Sequence, residues 1–479
     1  MPAVSLFLFL ASTVPAADHW PSFRGDGTSV SQATALPVKW SPTEGIAWRI
    51  SVPGYGQSSP IVWKNQAFLS SVDGPNKDIG IVSAFDLATG KLLWKKEYPT
   101  SQKQKSSPTV SRAAPTGVVD ADRVIELFES GDLVCLDHQG KERWKRALTS
   151  EFGAWENNHG MASSLAQDGE RVFVLADHRG RSSWLMAIDK ATGSTAWKID
   201  RKPNSSWTSP IVATIQGQEQ VVISSAGAVE AFSPTDGKSL WKMADFAGNT
   251  IASPVAAGNR IIIATGESRA KPDPAVTTHS TGAILVESSG PVHQWEAKKA
   301  ISQHASPLVY QGVAYFVTRA GMVHAHDLES GRELFVERLA DPCWATPIGA
   351  GGRIYFFGKN GTTTILKAGP SPVREGVCRL WDEAEFARRK EEEKKKPENQ
   401  SGFGRPATGA NSDQAKANPS EGRRPSTPTT GQPKGNAAPA MSMGYDAVGD
   451  VVYGVAAVDG MWIVRTGTEL ICIKAASAR

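Results

Sequence analysis

The sequence predicts an all-β fold: an eight-bladed β-propeller of four-stranded antiparallel blades, with an N-terminal strand closing the last blade. Three observations lead there. First, the phrase AFDLATGKLLW at 84–94 returns as AIDKATGSTAW at 187–197, keeping Ala, Asp, Thr, Gly and Trp in register. Variants stand at 135–144 (CLDHQGKERW), 231–241 (AFSPTDGKSLW), 285–295 (LVESSGPVHQW) and 325–335 (AHDLESGRELF), so the aromatic position recurs every 40 to 54 residues. That spacing belongs to propeller blades rather than to helical repeats. Second, SSPIV (58–62), SSPTV (106–110), ASSLA (162–166), TSPIV (208–212), ASPVA (252–256), ASPLV (305–309) and ATPIG (345–349) each lead into short β-branched or aromatic runs such as RIIIATG. Such runs, punctuated by Gly, Asn or Asp, read as strands. Third, a final unit has inner strands but no Trp strand, whereas EGIAWRISVPG at 44–54 has a Trp strand and no blade.

Taken in chain order, MPAVSLFLFLASTVPA at 1–16 is a short apolar run ending in small residues, the pattern of a secretory signal. It is too short to span a bilayer, and with no cysteine before Cys135 no lipid anchor is expected. Residues 17–43 form an N-terminal extension. The propeller then occupies 44–385, with the closing strand at 44–54 and blades at 57–97, 106–148, 161–201, 207–245, 251–299, 304–339 and 344–381. Within each repeat, residues like Asp86 and Thr89 can hydrogen-bond local backbone, and Gly90 can adopt the positive φ of a tight hairpin. Trp94 then falls on the outer strand, where its ring can wedge between blades and its N–H can find a backbone acceptor. Blades of this kind bury their apolar faces only against one another.

Residues 386–445 interrupt the repeats. The stretch 386–440 holds 11 Lys/Arg and 6 Asp/Glu and is rich in Pro, Gly, Ser and Asn. It lacks apolar periodicity, and a disordered basic insert is expected. Its net of +5 accounts for the whole chain's +4, so the propeller itself is near neutral and carries no electrostatic footprint for nucleic acid. Blade 8 follows within 446–479. Setting Trp48 as its outer strand joins the chain ends and removes the open sheet edges. Of the four cysteines, Cys135 and Cys472 share one repeat position in different blades and are expected as buried thiols. Cys343 and Cys378 both fall in blade 7, where a disulfide is an open alternative.

These phrases resemble the tryptophan-docking repeat of the pyrroloquinoline quinone (PQQ)-like propellers. HWPSFRGDGTSV, LPVKW, IAWRISVPGYGQSSPIVW and IVRTGTELICI are similar to secreted bacterial members of that group. The superfamily includes quinoprotein alcohol dehydrogenases and the non-catalytic propeller of outer-membrane β-barrel assembly. For a dehydrogenase, the resemblance implies a quinone held between a Trp plane and a disulfide of adjacent cysteines, with calcium on Glu, Asn and Asp oxygens. No two cysteines are adjacent here.

Residues just before each inner strand converge on the propeller axis. They form a candidate ligand site at the channel mouth: Gln57, Lys105, Asn157, Asn158, His159, Trp207, His304 and Trp344, with Glu156 beside them. Read without a ligand, the tryptophans pack the rim and the histidines cap loop carbonyls. Arg319 and Arg465, on inner strands, could contact an anion or pair with a carboxylate. His279 lies in a Pro- and Thr-rich loop at about 268–282, a second place for binding. No catalytic or metal-binding set is assigned. The expectation is a non-catalytic binding or scaffolding propeller, monomeric, periplasmic or secreted, without a cofactor, that holds envelope proteins or peptides through loops and strand edges. The alternatives are a PQQ-dependent dehydrogenase with calcium and a carbohydrate-binding propeller.

Overall fold

A computed structural model of the chain describes residues 18–33, 35–104, 113–157, 159–179, 183–225, 227–267, 278–394, 452 and 454–475. The leader, SSPTV at 106–110 and the bulk of the insert lie outside these. The described strands form eight sheets, each built on four antiparallel strands, with a fifth short strand added at the inner edge of two of them. The innermost strands, blades 1 to 8, are Ile61–Trp63, Val118–Val119, Ala166–Gln167, Ile211–Ile215, Val255–Ala257, Leu308–Tyr310, Ile348–Ala350 and Gly454–Val458. Blade 8 is completed by Ile46–Ser51, whose Trp48 lies opposite Cys472. The ring therefore closes with the predicted strand, and no helix among the described residues is long and apolar enough to cross a membrane.

The repeat has a steric cause. In blades 1 to 5 the outer-strand Trp faces a small residue: Ala84 faces Trp94, Cys135 faces Trp144, Ala187 faces Trp197, Ala231 faces Trp241 and Ala283 faces Trp295. A β-bulge follows each pair at once, re-aiming the strand so that the indole leans onto the next blade. Trp48, Trp94, Trp144, Trp197 and Trp295 donate Nε1–H to the carbonyls of Leu87, His138, Lys190, Pro234 and Leu328, at 2.8–3.0 Å. Each ring covers that turn's glycine. A Cβ on Gly90 would stand 2.7 Å from Trp48, and Gly90 itself has φ +72°, so no other residue fits. Trp241 departs from the pattern, donating to Gln220 Oε1 of its own blade.

The Ser/Thr phrase builds an inner ring. Backbone N–H groups donate from Ser59 to Thr116 Oγ1, Thr116 to Ser164 Oγ, Ser164 to Ser209 Oγ, Ser209 to Ser253 Oγ, Ser253 to Ser306 Oγ and Ser306 to Thr346 Oγ1, at 2.8–3.3 Å. One hydroxyl thus crosses each junction from blade 1 to blade 7. In blade 2 the ring position belongs to Thr116 of APTG, which corrects the reading of 106–110 as that blade's start.

The N-terminal extension runs along the axis. His19–Trp20 pairs with the innermost strand of blade 1, and Val30–Ser31 runs parallel to that of blade 7. Between them Pro21 O accepts from Val119 N of blade 2 and Gln167 Nε2 of blade 3, Arg24 Nη2 donates to Pro254 O, and Ser29 O accepts from Gly349 N. Ser31 Oγ reaches Ala457 O of blade 8.

Two further differences emerge. The insert begins as a helix, Glu383–Lys394, so its first nine residues are ordered rather than a disordered tail. Arg389 explains this: it pairs with Glu385 at 2.8 Å and Glu469 at 2.9 Å and lies 4.8 Å over the Trp381 ring, while Arg49 of the closing strand reaches Glu385 at 3.0 Å. The open alternative of a Cys343–Cys378 bridge is also settled, since all four cysteines are free and buried. Cys343 Sγ points to the carbonyls of Ala345 and Phe357, and Cys378 Sγ to that of Val38.

Candidate functional site

In a four-strand meander the innermost strand begins at one mouth of the channel and ends at the other. The predicted ligand residues, which precede those strands, belong to the first mouth. Lys105 and Asn158 lie outside the described residues. Four of the remaining six assemble as two ring pairs. At the junction of blades 3 and 4 the exposed His159 ring lies 5.6 Å from Trp207, whose Nε1 donates to Gly160 O at 2.9 Å. At the junction of blades 6 and 7 the His304 ring lies 4.9 Å from Trp344, with Lys359 Nζ 4.6 Å above the same indole. Burial, with Arg319 and Lys359 nearby, pushes His304 down to about 4, so this imidazole is neutral at pH 7. Gln57 and Asn157 hold loops instead. Gln57 N donates to Ala113 O, and Asn157 Nδ2 lies 3.4 Å from Asp177 O and Ser206 O.

Sequence reasoning named Arg465 but missed the buried carboxylates beneath this mouth. Arg465 is fully buried and donates to Ser58 O, Ser58 Oγ and Ser71 Oγ. It approaches so closely that a Cβ on Gly56 would meet Nη2 at 2.2 Å. Glu126, also buried, is pushed up to about 8, chiefly by desolvation, against hydrogen bonds from Ser70 and Gly117 and the charge of Arg465. The available signal for Glu126 was one charged residue inside an apolar strand, VIEL, the same signal that singled out Arg465 in IVRTG. Glu129 pairs with Lys77 at 3.0 Å and accepts from Ala113 N. Asp177 pairs with Arg201 at 2.6 Å and accepts from Ser225. Asp341 accepts twice from Asn360, and at the opposite end of blade 2 Asp137 accepts from the N–H groups of Gln139 and Lys141.

The second mouth holds a cleft of about 570 Å³ between the N-terminal segment, the turns of blades 2 and 3 and the start of the innermost strand of blade 4, bordered by Phe23, Asp26, Trp63, Asp122 and Lys190. Lys190 Nζ is held by Asp120 at 3.0 Å, Asp168 O and Gln167 Oε1. Burial would raise Asp120, but the Asp122 N–H and Lys190 outweigh it and hold the carboxyl below its usual value. The outer rim differs in character. The outermost strands of blades 1, 6 and 7 end their sheets and expose Leu92, Leu93, Val336 and Val377.

Against known proteins, the family model described as outer membrane protein assembly factor BamB matches residues 12–156 and 78–337. The chain is similar to the outer membrane protein assembly factor BamB of Alkalilimnicola ehrlichii, 26% identical over 197 residues, 38% of this chain and 42% of that protein. It is similarly 26% identical over 209 residues to that of Escherichia coli, 43% of this chain and 47% of the relative. The match thus spans less than half the length of these relatives. Among solved structures, BamB from Moraxella catarrhalis superposes with a TM-score of 0.55 at 12% identity, over 89% of this chain and 99% of that one. Quinohemoprotein alcohol dehydrogenase from Comamonas testosteroni gives 0.53 at 12% identity, over 77% and 74%. At such identity both likenesses concern the fold alone.

Proposed function

The chain belongs to the PQQ-like repeat family described as outer membrane protein assembly factor BamB, and on that premise we propose that it is a non-catalytic propeller of the bacterial envelope that binds extended protein segments by strand addition. The observation that carries this reading is the set of outermost strands that, among the described residues, end their sheets and expose Leu92, Leu93, Val336 and Val377. A free edge supplies main-chain hydrogen bonds to an incoming strand, and alternate apolar side chains give it grip.

The donor chemistry of the described residues supports the same reading over quinone chemistry. The resemblance to dehydrogenases calls for adjacent cysteines and free carboxylate oxygens for calcium. Cys135, Cys343, Cys378 and Cys472 lie far apart in sequence. Among the described residues the buried carboxylates of Glu129, Asp137, Asp177 and Asp341 are committed to the partners named above, and burial holds Glu126 toward its protonated form. The axis itself is taken by the protein's own residues 19–31. The quinone and calcium pair does not fit this donor set, and no reaction step is derived through it.

The test is anisotropy with labelled peptides copied from amphipathic strands of outer membrane β-barrel proteins. Saturable binding is expected, weakened at least fivefold by a Leu92→Lys, Leu93→Lys double substitution. In parallel, calorimetry with PQQ and calcium should show no saturable heat. One-to-one quinone binding with a quinone spectrum would overturn the proposal, as would peptide binding indifferent to the edge substitutions.

A further inference from the structure

His279, singled out in the sequence and left unused by the axis, ends a loop whose first part, 268–277, lies outside the described residues. Its own main chain is fixed: His279 N donates to Asp245 O at 2.7 Å, and Ala247 N donates to His279 O at 3.2 Å. Opposite it runs the outer strand of blade 5, Gly290–Glu296. Residues three apart on a regular strand point to opposite faces. Here the bulge between Ala283 and Ile284 sets Trp295 opposite Ala283 and His293 opposite Ile284. The extra residue, Gln294, shifts the alternation and turns His293 and Glu296 to the same side.

The result is a convergent donor set. His279 Nδ1 lies 3.5 Å and His293 Nε2 3.6 Å from the same oxygen, Glu296 Oε1, and the three ligand atoms all fall within 4.8 Å of one another. The two imidazoles stack at 4.3 Å with 12° between their planes. His293 Nε2 is shut off from solvent without a hydrogen-bond partner, a costly state for a ring nitrogen. Burial first, then the neighbouring His279, pushes His293 below its usual value, against Glu296. Other groups at Glu296 are Ser280 N, 3.4 Å from Oε1, and the largely exposed Lys298 Nζ, 3.5 Å from Oε2.

We propose that His279, His293 and Glu296 form a binding site for a divalent transition metal ion of the zinc class, which staples the loop end at His279 to the outer strand of blade 5. Two ligands about 2.0–2.1 Å from zinc at a tetrahedral angle are about 3.4 Å apart, close to the two distances found. Two nitrogens and one carboxylate select zinc-like ions over calcium or magnesium. The edge-strand binding proposed above does not involve these residues.

A second cluster, His324, His326 and Glu333 of blade 6, provides the internal control. Tag-free, chelator-stripped protein is titrated calorimetrically with zinc chloride. Tight binding is expected, with His279→Gln, His293→Gln and Glu296→Gln each weakening it at least tenfold and His326→Gln leaving it within twofold. Melting in EDTA should be the same for wild type and variants. On the wild type alone, zinc should protect His279 and His293 from diethylpyrocarbonate, read by peptide mass spectrometry, a readout that survives misfolding of any variant. Absence of zinc binding, unchanged binding in His293→Gln, or protection confined to His324 and His326 would each overturn the site.

Discussion

Glu126 and His304 titrate in opposite senses, and each gives a pH dependence to stability. The buried Glu126 is raised from 4.5 to about 8, so the folded protein holds a proton that the unfolded chain has released. Its contribution is complete below about pH 4.5 and is lost as pH rises through 8. Glu126→Gln should therefore raise the melting temperature at pH 8 and change it little at pH 4.5, as followed by differential scanning calorimetry. His304 is lowered from 6.5 to about 4, so its contribution is present above pH 6.5 and lost as pH falls through 4. His304→Phe should flatten the acid limb. Glycine makes a sharper contrast. Gly90→Ala puts a methyl into the Trp48 ring at φ +72° and should cost on the order of 2–5 kcal/mol. Gly258→Ala, at φ +58° with nothing within 4 Å, should cost about 1–2 kcal/mol. Equal losses in urea melts would contradict the interlock between blades. At this scale the sequence told residue type but not pairing. His159 with Trp207 and His304 with Trp344 were both named as mouth residues, yet their meeting across two junctions depends on loop paths that no periodicity encodes.

At the scale of elements, strands were legible wherever a repeat imposed them. Trp48 was placed in blade 8 because a Trp strand without a blade and a blade without a Trp strand complete each other, and its pairing with Cys472 follows. The N-terminal segment was illegible for the opposite reason. HWPSFRGDGTSV has no period, and it is held largely through main-chain groups such as Pro21 O and Ser29 O, which leave no mark in side-chain pattern. Its removal is informative. Deleting residues 18–31 should speed hydrogen exchange at the Val119 and Gly349 amides, which lose those acceptors, while the Trp94 indole N–H, held by blade 2, stays protected. The start of the insert was misread because composition averages over 55 residues. A single Arg389, bridging Glu385, Glu469 and Trp381, orders a helix that the average hides.

At the scale of the whole molecule, the hydroxyl ring links the blades in one direction, each amide donating forward to the next blade. Ser209→Ala would leave the buried Ser164 N–H without its acceptor, at a cost of about 1–3 kcal/mol. Thermal melting should show one lowered transition rather than two, since no blade buries its core alone. Closure of the ring also has a history in time. Ile46–Ser51 leaves the ribosome before any blade exists, and its partner Glu469–Lys474 follows every other described strand. At about 5–20 residues per second, that strand waits on the order of half a minute for its neighbour. Throughout synthesis Ile46, Trp48 and Ile50 lack the partner strand that covers them in the closed ring, and surface of that kind is what exposes a folding chain to aggregation.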